Sequence, residues 1–276
     1  MDLSDSIAVV TGAGSGLGAA LARRLAAAGA RVSVADLVLD HARAVAEEID
    51  TAAGESGRAV AMAFDAGDET SITDLARQVE CELGPCRVLC ANVGVQQFGK
   101  IEDLSRADWE WVFGVNVHGT IATTRAFLPQ LRQQSSKANI VITTSTSALY
   151  PCSHMAAYVS SKYALLGFAE TLRLELAEEG IGVTALLPGP MATTHLQSSA
   201  AAKPEGTKGQ PVFSPDTIRV VAAGASGEML DADSAARNVL EDLEQDRAYS
   251  VTHDVNTEPI EARFKEIREA FILSRR

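Results

Sequence analysis

Long hydrophobic runs, paired cysteines and an excess of basic residues are all missing from this sequence, and each absence excludes a class of protein. No apolar stretch approaches the roughly 18 residues that a membrane span requires, so we expect no transmembrane segment. The four cysteines, Cys81, Cys86, Cys90 and Cys152, have neither the spacing of a zinc site nor the density of a disulfide scaffold. We therefore interpret them as reduced thiols of a cytoplasmic protein that binds no metal.

Acidic residues outnumber basic residues, 36 to 24, which gives a net charge of -12. This sign makes nucleic acid or an anionic membrane surface an unfavourable partner. The first apolar strand follows Met-Asp-Leu-Ser-Asp-Ser, so we expect no signal peptide. With 46% hydrophobic residues in a chain of 276, we expect residues 1–276 to form a single large α/β domain.

Short apolar runs alternate with segments of helical periodicity along most of the chain. The predicted strands cover 7–10, 31–35, 58–64, 87–91, 139–144, 183–187 and 248–251. Asp68 is a predicted helix N-cap, and Ser105-x-x-Asp108 is a predicted capping box that opens a long helix. This alternation is typical of a doubly wound parallel sheet of about seven strands with helices on both faces. Ligands of such sheets lie at the carboxyl ends of the strands.

The first predicted strand runs directly into a glycine-rich turn, residues 11–18 (TGAGSGLG), which opens a helix. Glycine lets the backbone approach an anion closely, and the free N–H groups of a first helical turn bind phosphate. The alternative, a merely tight turn, does not account for four glycines between a buried strand and a helix. The predicted cradle residues are Gly12, Ser15, Gly16, Leu17 and Gly18.

The second predicted strand ends at Asp36. A carboxylate at this position can accept hydrogen bonds from both hydroxyls of an adenosine ribose and would repel a 2′-phosphate. Because no lysine or arginine follows until Arg43, the residues favour NAD(H) over NADP(H). The alternative is that Asp36 is only a solvated loop acid. With the cradle, this pattern indicates a Rossmann-type sheet.

Tyr158 and Lys162 are four residues apart in a segment with helical periodicity, so their side chains share one face of the helix. Ser145 follows the fifth predicted strand and can converge on the same point. A free phenol titrates near about 10, and a nearby ammonium lowers its pKa toward neutrality. These residues predict proton transfer for an alcohol and its carbonyl form. The alternative is an exposed tyrosine beside a solvated lysine, since the motif is short.

Taken together, these motifs resemble the short-chain dehydrogenase/reductase family over nearly the whole chain. The family's asparagine-rich element appears as Ala91-Asn92-Val93-Gly94, and its PGxVxT element as residues 188–193 with Met191 in the valine place. Ser147 is a rival for the catalytic serine, but Ser145 has the family's usual spacing to the tyrosine. The catalytic residues implied by the resemblance are Asn116, Ser145, Tyr158 and Lys162. The cofactor-binding residues expected from motif and resemblance together are Gly12, Ser15, Gly16, Leu17, Gly18, Asp36, Asp65, Ala66, Asn92, Gly94, Tyr158, Lys162, Pro188, Gly189, Met191 and Thr193.

The resemblance implies hydride transfer between NAD and a secondary alcohol or its ketone. Tyr158 would take the hydroxyl proton, and Ser145 would hold the substrate oxygen. Lys162 would lower the tyrosine pKa and bind the nicotinamide ribose. Asn116 would anchor a water relay, and Thr193 would hold the carboxamide. The resemblance also implies a homodimer or homotetramer.

A weaker resemblance concerns the last third of the chain. Residues 186–195 (LLPGPMATTH) and 249–264 are similar to a bacterial subgroup that includes the Cα-dehydrogenases of lignin-derived aryl ethers, which oxidise a benzylic secondary alcohol with NAD. This favours an aromatic or bulky apolar substrate. The candidate wall residues are Gln96, Phe98, Tyr150, Cys152, His154, Met155 and Met191. His154 either contacts substrate or faces solvent.

Residues from about 194 to 226 are rich in Ala, Gly, Pro and Lys and predict a flap over the substrate, or else an inert surface loop. The final helix has one apolar face, which either packs on the body or meets a partner subunit. Two other functions remain open. A non-catalytic NAD(H)-sensing protein would use the same fold, whereas a sugar-nucleotide epimerase is disfavoured by the glycine spacing.

Overall fold

Parallel strands form a central sheet, with helices on both faces. The computed structural model describes residues 3–4, 6–134, 136–205, 212–216, 218, 229–254 and 256–274. The strands are β1 (Ile7–Thr11), β2 (Arg31–Asp36), β3 (Ala59–Ala63), β4 (Cys86–Ala91), β5 (Ala138–Thr143), β6 (Ile181–Leu187) and β7 (Tyr249–Val251). The α-helices are α1 (Gly16–Ala27), α2 (Leu39–Ala53), α3 (Glu69–Glu82), α4 (Arg106–Phe113), α5 (Thr120–Arg132), α6 (Ala156–Leu176), α7 (His195–Ala202), α8 (Ala232–Ala235), α9 (Val239–Glu244) and α10 (Glu258–Leu273).

The strand order in the sheet is β3-β2-β1-β4-β5-β6-β7, and every described pairing is parallel. Val10 of β1 pairs with Val34 on one side and with Cys90 on the other. The chain order therefore reverses at β1, and a crevice opens at the carboxyl ends of β1 and β4. The predicted doubly wound parallel sheet is confirmed.

Each face of the sheet has its own hydrophobic core. On one face, α1, α2, α8 and α9 pack on the sheet around Leu21, Leu25 and Val34. On the other face, α3, α5 and α6 pack around Phe127 and Leu165. All residues of β5 and β6 are buried, which explains why the central strands are continuous apolar runs. Among the described helices, none is both long and apolar enough to cross a membrane.

The predicted capping box is present. Ser105 accepts a hydrogen bond from the Asp108 N–H, and the Asp108 carboxylate accepts one from the Ser105 N–H. The helix that follows is not continuous, contrary to the sequence prediction, because a π-helical turn at Gly114–Gly119 separates α4 from α5. This turn brings the backbone of Gly119 against Ala66, where an added Cβ would lie 2.3 Å from the carbonyl oxygen. Such π turns are frequent at functional sites.

Two further segments differ from the sequence prediction. The predicted single helix at 231–244 consists of α8 and α9, and Asn238, a weak helix former, lies at the break. The predicted irregular flap begins with α7, because its alanine-rich start favours helix. The parts of the predicted flap at 206–211, 217 and 219–226 lie outside the described residues.

The apolar face predicted for the final helix does not pack on the body of the chain. Phe264, Ile267 and Phe271 are exposed, and α10 has no buried residue in its described length. Arg263 connects this helix to the rest of the molecule by lying over the Tyr163 ring, 5.0 Å from its centroid.

Candidate active site

The glycine-rich turn forms an anion cradle at the start of α1. Ser15, the N-cap residue, makes no side-chain capping hydrogen bond, and the first turn contains no acidic residue. The first N–H groups of the helix are therefore available to a phosphate. A Cβ added to Gly18 would lie 2.1 Å from the Gly12 carbonyl oxygen, so only glycine allows this close packing. The cradle fits the pyrophosphate of a dinucleotide.

Asp36 lies beside the cradle at the end of β2. Its carboxylate accepts hydrogen bonds from the Gly14 N–H at 2.9 Å and from the Val38 N–H at 3.0 Å. A Cβ on Gly14 would lie 2.8 Å from the Asp36 carboxyl carbon, so glycine is required here as well. A carboxylate has about four acceptor positions, which leaves room for both hydroxyls of a ribose.

Asn92, which follows β4, joins the cradle to the neighbouring strand. Its amide nitrogen lies 3.2 Å from the Thr11 carbonyl oxygen, and its oxygen accepts a hydrogen bond from the Thr143 hydroxyl at 3.1 Å. Asn92 therefore connects β1 to β5 across the end of β4. Asp65 is exposed and accepts from the Gly67 N–H at 2.8 Å.

Ser145, Tyr158 and Lys162 converge at the carboxyl end of β5, and all three are buried. The Lys162 ammonium donates to the Thr143 carbonyl at 3.0 Å and lies 5.6 Å from the centroid of the Tyr158 ring. A Cβ on Gly94 would lie 3.2 Å from the Lys162 nitrogen. Glycine at this position therefore makes room for the ammonium.

The predicted lowering of the tyrosine pKa is wrong for the protein by itself. Burial raises the pKa of Tyr158 to about 12, although the hydrogen bond from Ser145 acts in the opposite direction. Burial also lowers the pKa of Lys162 to about 8. Loss of hydration on burial is the largest cause of both pKa shifts, an effect that the motif alone does not reveal.

Asn116 lies in the π-helical turn and is completely buried. Its amide nitrogen donates to the Val95 carbonyl at 2.9 Å and to the Ser161 hydroxyl at 3.0 Å. Its oxygen accepts from the Val95 N–H at 2.8 Å. Both amide hydrogens therefore form hydrogen bonds within the protein, and the side chain links the loop after β4 to α6.

An apolar cluster surrounds Tyr158. Phe98, Met155 and Val159 pack with Tyr158, and the partly buried members of the cluster are Cys152, Tyr163, Leu196 and Phe213. Met191 packs instead against the core on the α1 face of the sheet. His154 has a φ of 63° and lies 2.8 Å from the Ser153 hydroxyl through Nδ1. Tyr150 is partly buried.

The loop after β4 holds the start of the predicted flap against the site. The Gln96 N–H donates to the Ser199 hydroxyl at 3.1 Å, and the Phe98 N–H donates to the Val212 carbonyl at 2.8 Å. Lys203, just after α7, donates to the Asp108 carboxylate at 2.6 Å and to the Gln97 side chain at 2.9 Å. Asp108 has no exposed surface, so the ion pair between α4 and the flap is buried.

The segment from Pro188 to Thr193 lies next to the cradle. A Cβ on Gly16 would lie 3.5 Å from the Thr193 side chain. His253, just after β7, accepts from the Gly189 N–H at 3.2 Å, and its Nε2 lies 2.6 Å from the Pro190 carbonyl oxygen. Sequence reasoning did not assign a role to His253, although it lies in the tail that resembles the aryl-ether dehydrogenases.

His195, the first residue of α7, is another residue that sequence reasoning left without a role. Burial and the charge of Lys162 lower the pKa of His195 to about 4. The side chain is half-buried in the structure. Its position two residues after the predicted cofactor residue Thr193 was the available signal. Among the described residues, no three His, Cys, Asp or Glu side chains form a metal site.

Comparison with known proteins identifies the family. Residues 6–204 match the model of the short chain dehydrogenases. A D-beta-hydroxybutyrate dehydrogenase of Cupriavidus necator is 30% identical over 231 residues, which cover 84% of this chain and 88% of the relative. A short-chain dehydrogenase/reductase of Burkholderia phymatum, solved in complex with NAD, has 28% identity and a TM-score of 0.87, with 98% of this chain and 96% of that chain covered.

The apo form of LigD from Sphingobium sp. shares the fold, with 23% identity, a TM-score of 0.77 and coverage of 97% and 98% of the two chains. The family model covers most of the chain, including the cradle, Ser145, Tyr158 and Lys162. This chain therefore belongs to the short-chain dehydrogenase family.

Proposed function

We propose that this protein is an NAD(H)-dependent oxidoreductase that interconverts a secondary alcohol and a ketone. The observation that carries the proposal is the convergence of Ser145, Tyr158 and Lys162 beside an anion cradle. NAD is favoured because the Asp36 carboxylate borders that cradle. The relative that binds NAD and the relatives named as dehydrogenases support the same activity.

When bound, NAD supplies the nicotinamide carbon that accepts or donates a hydride. In the oxidative direction, the Tyr158 phenolate accepts the hydroxyl proton of the alcohol, and Ser145 donates a hydrogen bond to the same oxygen. Lys162 holds a positive charge near the phenolate. Because burial keeps the Tyr158 pKa at about 12 in the protein alone, the mechanism needs the added positive charge of the oxidised nicotinamide.

We propose an uncharged substrate with an aromatic or bulky apolar group next to the reacting carbon. The support is the cluster of Phe98, Met155, Val159 and Leu196 around the tyrosine, which favours apolar groups over polar ones. Lys203 forms an ion pair with Asp108, so the Lys203 charge is already neutralised within the protein. A short hydroxy acid would therefore find no complementary charge among these residues.

The alternative of a non-catalytic NAD(H) sensor has less support, because the serine, tyrosine and lysine are all present and converge.

The exposed apolar face of α10 supports self-association, which light scattering can test.

The test is an NAD-reduction screen over secondary alcohols graded from 2-butanol to 1-phenylethanol and bulkier aryl alcohols. We expect the highest kcat/KM among the aryl alcohols, and 3-hydroxybutyrate as a poor substrate. Binding of NADH without turnover of any panel member, in either direction, would contradict the enzyme assignment and favour the sensor.

A further inference from the structure

Ser147 lies two residues beyond the catalytic serine, in a short 3-10 turn at Thr146–Ala148. Its hydroxyl donates to the Ser145 hydroxyl oxygen at 2.9 Å, and its backbone N–H donates to the same oxygen at 3.2 Å. Both serines are buried, with 6% and 9% of their surfaces exposed for Ser147 and Ser145. Water therefore does not compete freely for these hydrogen bonds.

A serine hydroxyl has one hydrogen to donate and two lone pairs that accept. The two hydrogen bonds from Ser147 occupy both lone pairs of Ser145, so its own hydrogen is what remains for the active site. The Pro188 carbonyl oxygen is a weak competitor at 3.4 Å. Tyr158 is another hydrogen-bond partner of Ser145, and this hydrogen bond acts to lower the pKa of the phenol, as a donor to the phenolate does.

We propose that Ser147 is a positioning residue that makes Ser145 a donor only, toward the phenolate before the alcohol binds and toward the substrate oxygen afterwards. The inference rests on the proposed dehydrogenase activity. Donor-only behaviour matters because the alcohol has to point its hydrogen at Tyr158. If Ser145 could accept, the alcohol could give its hydrogen bond to Ser145 instead, and this complex would be bound but unproductive. Accepting two hydrogen bonds also makes a hydroxyl a stronger donor.

The test compares Ser147→Ala, which removes the hydroxyl and keeps the N–H, with Ser147→Thr, which keeps a hydroxyl. Thr144→Val is the matched control, because the Thr144 hydroxyl is also buried and donates to the Leu186 carbonyl at 2.8 Å, away from Ser145. The assay is NAD reduction with 1-phenylethanol. We expect Ser147→Ala to lower kcat roughly 5- to 20-fold, as loss of a hydrogen bond does, while KM is unchanged or falls. Ser147→Thr and Thr144→Val should keep most of the activity.

A second measurement does not depend on turnover. The ultraviolet absorbance of tyrosinate is titrated against pH in the NAD complex, with Tyr158→Phe subtracted to isolate one phenol. Ser147→Ala should raise the pKa of Tyr158 by roughly 0.5 to 1 unit, because the phenolate loses a well-oriented donor. Thr144→Val should leave it unchanged, as should Ser147→Thr.

The outcomes separate the two hypotheses. If Ser145→Ala is inactive while Ser147→Ala matches the wild type in both kcat and tyrosine titration, the positioning role is wrong and the proposed function stands. If Ser145→Ala is active and Ser147→Ala is not, Ser147 itself is the donor, which also overturns the positioning role. If Ser145→Ala and Tyr158→Phe both keep wild-type turnover, the proposed function fails.

Discussion

The buried ion pair between Lys203 and Asp108 gives a prediction whose size follows from the structure. Asp108 has no exposed side-chain surface, and Lys203 has 12%. Replacing Lys203 with methionine keeps much of the apolar stem but leaves a buried carboxylate without its cation. Breaking a buried pair in this way typically costs about 3–5 kcal/mol. The Ser105 N–H and hydroxyl still donate to the carboxylate, so we expect a value at the low end of this range.

A matched control lies on the same helix. Arg106 and Glu110 form an ion pair whose side chains are 89% and 61% exposed. Arg106→Met should leave the free energy of unfolding nearly unchanged, because water screens such pairs. The assay is urea unfolding of both variants beside the wild type.

Lys203→Met should also raise KM for the alcohol, since Lys203 holds the end of α7 and Leu196 of that helix packs near Tyr158.

The pH dependence of the free energy of unfolding gives a further test of the role of this ion pair. Burial acts to raise the pKa of the Asp108 carboxyl, but the hydrogen bonds from Lys203 and Ser105 hold it below its usual value. In the wild type this contribution to stability is therefore present above the unfolded pKa and is lost as pH falls through the lower folded value. In Lys203→Met, burial dominates and the folded pKa lies above the unfolded one, so the penalty shrinks as the solution becomes acidic. Equal penalties for Lys203→Met and Arg106→Met, or a Lys203→Met penalty that grows toward low pH, would refute this reasoning.

Three further predictions concern the cofactor site and α7. Asp36→Ala should weaken NADH binding at least about tenfold and should favour NADPH relative to NADH, as measured by fluorescence titration. If the wild type bound NADPH more tightly than NADH, the role of Asp36 would be contradicted. Gly18→Ala should abolish NADH binding or folding, because its Cβ would lie 2.1 Å from the Gly12 carbonyl oxygen. The control is Gly167→Ala in α6, where the added Cβ meets nothing within 4 Å. This variant should be neutral or stabilising in thermal unfolding. The folded pKa of His195 is about 4, below its ordinary 6.5, so the wild type should lose stability relative to His195→Asn as pH falls from 6.5 to 4. Parallel stability curves would argue against a half-buried imidazole that stays neutral over this range.

Local patterns in the sequence were enough to predict the sheet and the shared helix of Tyr158 and Lys162. The capping box at Ser105 and the cap at Asp68 depend only on near neighbours, and both are present. Tyr158 and Lys162 share a helix face because their spacing matches the helical period. Alternating strands and helices fix the parallel topology because few connections satisfy it.

Features that depend on distant contacts could not be predicted from these patterns. The π-helical turn accommodates the contact of Gly119 with Ala66, far away in sequence. The ion pair of Lys203 with Asp108 joins residues that no local pattern links. The raised pKa of Tyr158 follows from burial, which depends on the packing of several elements around it. Spacing in the sequence thus predicted that Tyr158 and Lys162 lie together, but not the pKa values that burial gives them.

The central claim is that the Tyr158 phenol transfers the proton while other residues bind the dinucleotide. The most direct test is the rate of NAD reduction by Tyr158→Phe, measured at saturating 1-phenylethanol with protein whose NADH affinity matches the wild type. The account predicts a kcat lower by a factor of roughly 10² to 10⁴, the usual contribution of a general acid–base group. A variant that binds NADH normally and reduces NAD at the wild-type rate would contradict it.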